Sequence, residues 1–281
     1  MHKIPKILHL YWGKNVPLTF MRYLTVRSFV HFNPDYDVIV HYPEKSSSAI
    51  TWTTKEHKFS RSREIRDYFP DLVQLPRISI RQFNFTEIGV DDKIAEVFKS
   101  DFLRWYILGK EGGIWSDFDI LYIRPMTALY VRPGADVGVC CHTTPRRERY
   151  HSIGFLFSAI EDGWSFFSDV FKLALSHFDP ADYQSAGRRV LDRFYWPGKR
   201  EVEDCVISNI PFHSVYPVPP GRAGLLYGQN DILILPHTIG VHWFGGCPAF
   251  GHWQDMITEK NIKEIRSNIT DLMIDVLRRI S

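Results

Sequence analysis

Blocks of apolar and polar residues alternate along the chain, and their spacing predicts strands and helices in turn. Lys6 to Trp12 is apolar and aromatic between Pro5 and Gly13, which predicts a buried first strand. Pro17, at a first helical position, opens a helix predicted to run to about His31 and to close at Asn33-Pro34. Asp37 to Tyr42 predicts a second strand. A strand, helix, strand order argues for a parallel sheet with helices on its faces. Such sheets bind ligands at the carboxyl ends of their strands. Residues 44 to 75 are polar and predict an irregular or short-helical insertion.

The stretch from Glu96 to Pro125 carries the strongest pattern. Val97, Phe98, Leu103, Trp105, Tyr106 and Ile107 recur at helical spacing, and Gly112-Gly113 stops that helix before a β-rich run from Ile114 to Ile123. Asp117 and Asp119 therefore sit on a strand or at its end. Residues i and i+2 of a strand share a face, so the two carboxylates can converge on one cation that also holds phosphate oxygens. On the preceding helix Asp101 and Arg104 lie three apart and share a face. A second Asp-x-Asp, Asp35-Tyr36-Asp37, follows Asn33-Pro34 and reads as a turn.

Beyond this stretch, strands are predicted over 136 to 142 and 152 to 158, separated by a basic loop from Pro145 to Arg149. Helices follow over 163 to 178 and 185 to 194, then a Pro/Gly-rich loop over 215 to 224 with Arg222 as a candidate phosphate contact. A strand over 239 to 244 ends in Gly245-Gly246, where glycines let backbone N–H groups approach an anion. A lone His such as His242 on that apolar strand reads by itself as a core residue. From Ile262 to Ile280, apolar residues at 262, 265, 269, 272, 276 and 280 mark an amphipathic helix. It is expected to dock on the same domain, with a homodimer contact or weak membrane contact through Arg278 and Arg279 as the alternatives.

A length of 281 residues allows one large domain over 1–281. Lys and Arg number 34 against 32 Asp and Glu, so no global field draws the chain to nucleic acid or membrane. The four cysteines form no Cys-x-x-Cys pair, which argues against a zinc ribbon or redox motif. No eighteen apolar residues run together, so the reading is of a soluble, cytoplasmic chain with no transmembrane segment.

Ser100, Asp101, Arg104, Gly112, Gly113, Trp115, Asp117 and Asp119 together resemble the central motif of DXD glycosyltransferases of the family 32 type, with Trp115 where Tyr is usual. Ile4 to Trp12 resembles the same family's opening. The resemblance implies an α/β fold of the GT-A type, a single domain with a Rossmann-like mixed, mainly parallel sheet and helices on both faces. It implies a metal-dependent transferase that moves a sugar from a nucleotide donor, a UDP-sugar in the favoured reading, to a hydroxyl of a glycan or glycoconjugate, with retention. Asp119, Asp117 and His242 would hold Mn²⁺ or Mg²⁺, and Asp117, Asp119 and Asp101 would be the catalytic carboxylates. The donor would meet Tyr11, Trp12, Ser100, Asp101, Arg104, Trp115, Ser116, Asp117, Phe118, Gly245 and Gly246, with Trp12 stacking on the base. Alternatives are a haloacid dehalogenase-type phosphohydrolase, whose motif is also Asp-x-Asp at a strand end, and a non-catalytic carbohydrate-binding module.

Overall fold

The computed structural model describes residues 4–13, 16–49, 65–143, 149–159, 165–197, 202, 205–247 and 249–280. Strand β1 (Ile7–Tyr11) lies between β2 (Asp37–Pro43) and β4 (Gly113–Ser116), parallel to both, and β3 (Ile78–Phe83) extends the sheet beyond β2. On the other side β7 (Arg149–Ser158) runs antiparallel to β4, and β6 (Val137–Thr143) and β8 (Ile207–Asn209) complete the order β3-β2-β1-β4-β7-β6-β8. The sheet is thus mixed and mainly parallel, as expected. A separate ribbon pairs β5 (Ile120–Tyr122) with β9 (Gly240–His242).

Alternation along β4 sends neighbouring side chains to opposite faces of the sheet. Ile114 joins a core with Phe29 of helix α1 (Phe20–Phe32), whereas Trp115 joins a core with Phe98, Phe102 and Trp105 of helix α3 (Glu96–Lys110). Between these helices in the chain, the short α2 spans Phe69–Leu72. Residues 50–64 of the predicted insertion, and the basic loop at 144–148, lie outside the described residues.

Several boundaries differ from expectation for local reasons. Helix α1 starts at Phe20 rather than Pro17, because the Thr19 hydroxyl caps it by accepting the Arg22 N–H at 3.5 Å. Helix α4 (Phe166–His177) and the short α5 (Arg188–Phe194) fall inside the predicted spans. A single turn, α6 (Trp253–Met256), follows β9. The final helix, α7, covers Asn268–Ile280 and not the whole of 262–280, since the Ser267 hydroxyl accepts the Thr270 N–H at 3.3 Å. Ile262 is buried all the same. Ile269, Met273 and Val276 are fully buried in a third core with Phe20, Met21 and Leu24 of α1 and Trp243 beyond β9. The apolar stripe of α7 is therefore covered by its own chain, each such side chain contributing roughly 1.5–3 kcal/mol. Among the described residues no helix is long and apolar enough to cross a membrane.

Candidate active site

The predicted run from Ile114 to Ile123 is broken, and the break is where the two carboxylates sit. β4 ends at Ser116, β5 starts at Ile120, and Asp117, Phe118 and Asp119 form the link between them. The Asp117 N–H donates to the Gly154 carbonyl of β7 at 2.8 Å, and the Asp119 carbonyl accepts from the Trp243 N–H at 2.8 Å. Convergence of the carboxylates therefore comes from a turn pinned on both sides, and not from two positions on one face of a strand.

His242 is brought to this turn by the β5–β9 ribbon, in which it stands opposite Ile120. Its Nε2 lies 3.1 Å from Asp119 Oδ1, while Asp119 Oδ2 accepts the Gly245 N–H at 2.9 Å. Burial works against charge on both groups. Even so, the imidazole beside it and the Gly245 amide hold the Asp119 carboxyl below its ordinary value, and Asp119 lifts His242 above its own. Gly245 was expected to offer its amide to a donor anion, but that amide is committed to Asp119. A side chain there would meet the Trp243 ring at 2.5 Å.

Asp117 is held from behind. Its Oδ1 accepts from Trp115 Nε1 at 3.0 Å and lies 3.3 Å from Arg104 Nη2. The same Arg104 nitrogen is 3.0 Å from Asp101 Oδ1, and Nη1 donates to the Ile153 carbonyl at 2.6 Å. Arg104, expected to meet the donor, spends its terminal nitrogens on two carboxylates and a backbone carbonyl. Burial pushes the Asp101 carboxyl up to about 7 in spite of Arg104 beside it, and the charge of Asp117 adds to the shift.

One ligand atom each from Asp117, Asp119 and His242 lies within 4.8 Å of the others. Two carboxylate oxygens and an imidazole nitrogen form a donor set suited to a divalent cation such as Mn²⁺, with coordination positions left for phosphate oxygens. His242 Nδ1 accepts the Phe244 N–H at 3.2 Å, so the ring proton sits on Nε2 toward Asp119. Uptake of a cation there displaces that proton.

This cluster opens into a cleft of about 470 Å³, a size that suits a small-molecule ligand. Tyr11, Trp12, Ser100, Trp115, Ser116, Phe118 and Gly246 all border it, whereas Arg222 is exposed and does not. Trp12 is 6% exposed, with its edge on Phe118 and the Arg22 guanidinium 5.0 Å from its ring. The Tyr11 hydroxyl donates to the Glu96 carboxylate. The sequence offered no sign of three further residues. Gly154 and Gly187 allow close approach, since a Cβ would lie 2.8 Å from Asp117 Oδ2 at the first and 2.6 Å from Asp101 Oδ2 at the second. Tyr216 is 4% exposed, its ring lies against His242 at 5.0 Å, and its hydroxyl has no hydrogen-bond partner among the described residues.

Residues 21–135 match the family described as the glycosyltransferase sugar-binding region containing a DXD motif. The matched region holds Asp101, Arg104, Asp117 and Asp119 of the cluster, while Tyr11, Trp12 and His242 lie outside it. No curated protein sequence matches the chain. Among solved structures, the PaToxG glycosyltransferase aligns with a TM-score of 0.47 and 17% identity over 68% of each chain. The galactosyltransferase LgtC, in complex with donor and acceptor sugar analogs, aligns with 0.42 and 12% over 92% of this chain and 99% of its own. The glycosyltransferase GlyE of Streptococcus pneumoniae TIGR4 gives 0.49 and 9% over 96% of this chain and 60% of its own. Residues 21–135 are thus similar to the sugar-binding region of DXD glycosyltransferases, and the sheet is the mixed, mainly parallel α/β sheet expected from the sequence.

Proposed function

We propose that this protein is a glycosyltransferase that moves a sugar from a UDP-sugar to a hydroxyl of a glycan or glycoconjugate, with retention of configuration and with Mn²⁺ at Asp117, Asp119 and His242. The convergence of those three side chains at the cleft carries the reading. Departure of a nucleoside diphosphate leaves negative charge, and a bound divalent cation would stabilise it as a Lewis acid. The chain's own residues prepare that position. Trp115 and Arg104 orient Asp117, Gly245 orients Asp119, and Arg104 ties Asp101 to the same frame.

In this reading Asp101 meets the donor sugar's hydroxyls, as a carboxyl that exchanges its proton near neutrality. Ser100, Ser116, Phe118 and Gly246 border the donor, and Trp12 stacks on its base after its ring moves clear of Arg22. The bond from the anomeric carbon to the phosphate oxygen breaks, the acceptor oxygen bonds to that carbon, and the departing phosphate oxygen takes the acceptor's proton. A cytoplasmic setting belongs to the same proposal.

The test is a panel of nucleotide sugars incubated with the enzyme and Mn²⁺ and scored for nucleoside diphosphate release. Turnover of a UDP-sugar is expected. Release from no member of the panel, or from sugar phosphates lacking a nucleotide, would overturn the reading and favour a binding module or a phosphohydrolase.

A further inference from the structure

The lining of the cleft carries a cation, Arg188, that the proposed donor chemistry does not use. Arg188 begins α5, and its guanidinium carbon sits 4.4 Å from the centroid of the Tyr150 ring. Its Nε lies 3.3 Å from Asp192 Oδ2, but the contact is not aligned as a hydrogen bond. The other Asp192 oxygen is engaged by His151 Nδ1 at 2.7 Å. Among the described residues, Arg188 Nε makes no hydrogen bond.

The other two arginines of the cleft differ. Arg22 Nε donates to Gln254 at 2.8 Å, and Arg104 bonds two carboxylates and a carbonyl. Arg188 also lines the same cleft as Asp101 and Asp117. The preceding residue, Gly187, is packed so closely on Asp101 that a Cβ would stand 2.6 Å from its Oδ2, and Arg104 links Asp101 to Asp117. Beside Arg188 in the lining are Gln184 and His151, whose Nε2 is also without a partner among the described residues.

A guanidinium carries five N–H donors in a fixed fork, and buried donors need partners. The Arg188 side chain is only 24% exposed, so water alone meets it over a limited area. Support by the Tyr150 ring and by Asp192 fixes its orientation in advance and lowers the entropic cost of using it. A fork held in this way matches a carboxylate or phosphate bidentately, which a neutral hydroxyl cannot reproduce.

We infer that Arg188 is the recognition point for an acidic group on one of the saccharides, a carboxylate or phosphate, and that this glycosyltransferase selects an acidic sugar. The inference rests on the sugar-transfer reading of the cleft. The acid could come from the donor sugar or from the acceptor, and two arms of one calorimetric experiment separate them. In the donor arm UDP-glucuronate is compared with UDP-glucose in the presence of Mn²⁺. In the acceptor arm methyl β-D-glucuronide and glucose 6-phosphate are compared with methyl β-D-glucoside, with UDP and Mn²⁺ present.

The expected result is at least tenfold tighter binding of the acidic saccharide in one arm, with that arm naming the source. Arg188→Gln should abolish the difference and leave affinity for UDP alone unchanged. Arg188→Lys, which keeps the charge and loses the fork, should retain part of it, and serves also if the Gln variant does not fold. Equal binding of acidic and neutral saccharides by the wild-type enzyme in both arms overturns the inference without recourse to any variant. So does an Arg188→Gln enzyme that loses affinity for UDP itself, which would make Arg188 a diphosphate contact. Failure of UDP to bind at all defeats the nucleotide-sugar reading instead, and the glucuronide and glucoside comparison, run without UDP, still decides the role of Arg188.

Discussion

Replacing Gly154 with Ala tests whether the site depends on the close approach of β7 to the Asp117 turn. The new Cβ would stand 2.8 Å from Asp117 Oδ2 and 2.9 Å from the Tyr216 hydroxyl. Ordinary contact begins at roughly 3.5 Å, so both neighbours must give by about 0.6 Å or more. Neither is free to do so. Asp117 is held by Trp115 and Arg104, and the Tyr216 ring lies between Phe212 at 5.1 Å and His242 at 5.0 Å. Overpacking of this kind costs about 1–3 kcal/mol, and a carboxylate displaced by a fraction of an ångström should lose ~10- to 100-fold in turnover. The assay pairs thermal melting with Mn²⁺ titrations of donor hydrolysis. Gly221→Ala, where nothing lies within 4 Å of the added methyl, is the control. Melting a few degrees lower, weaker Mn²⁺ dependence and slower turnover are expected for Gly154→Ala alone. An alanine enzyme with wild-type turnover and Mn²⁺ response would refute the reasoning.

Tyr216→Phe should separate stability from function. Removing a buried hydroxyl that lacks a partner should raise stability by up to about 1 kcal/mol while turnover falls several-fold, and unchanged turnover would show that the hydroxyl serves no ligand. Acid should destabilise the fold through His9 and His41, whose rings meet at 3.1 Å in the core. Burial lowers His9 to about 4 and His41 well below its ordinary value, so the neutral forms are the ones the fold keeps. The contribution is complete above the unfolded value near 6.5 and is lost as pH falls toward 4, by roughly 3 kcal/mol for His9. Urea midpoints at pH 7, 5.5 and 4.5 check this, and a flat profile contradicts it. Met273→Ala on α7 should cost about 2–4 kcal/mol, since the side chain is fully buried. A loss under about 0.5 kcal/mol, with a change in oligomeric state by gel filtration, would point to a dimer contact instead.

The parts of the fold legible in the sequence are those in which local pattern and tertiary role agree. β1 and β2 bury apolar runs, α1 and α3 bury apolar positions at helical spacing, and Gly112-Gly113 marks the passage into β4. The break at Asp117 was not legible, because Ile120, Leu121 and Tyr122 keep a strand pattern while pairing with β9, a strand more than a hundred residues away. The start of α7 was missed because Ile262 and Ile265 continue the apolar period before the Ser267 cap.

At the site, Asp101, Arg104, Asp117 and Asp119 announce themselves by spacing within one short stretch. His242 has no such neighbourhood and was found only through family resemblance. Gly154, Gly187, Tyr216 and Arg188 carry no local signature, since their importance lies in what the folded chain places beside them. The hydrogen-bonding load on Arg104 was equally invisible, since two of its partners come from β7 and from the link after β4.

The central claim, that Asp117, Asp119 and His242 hold a divalent cation on which sugar transfer depends, is tested most directly by stripping the enzyme with a chelator. Mn²⁺ or Mg²⁺ is then returned while binding is measured by calorimetry and turnover by nucleoside diphosphate release. Two carboxylates and an imidazole favour Mn²⁺, which accepts nitrogen more readily than Mg²⁺ does. The account predicts that the stripped enzyme is inactive and that Mn²⁺ restores it better than Mg²⁺. Asp119→Asn should bind Mn²⁺ at least ~10-fold more weakly and turn over at least ~100-fold more slowly. Full activity in excess chelator, or an Asp119→Asn enzyme with wild-type Mn²⁺ affinity and turnover, would contradict it.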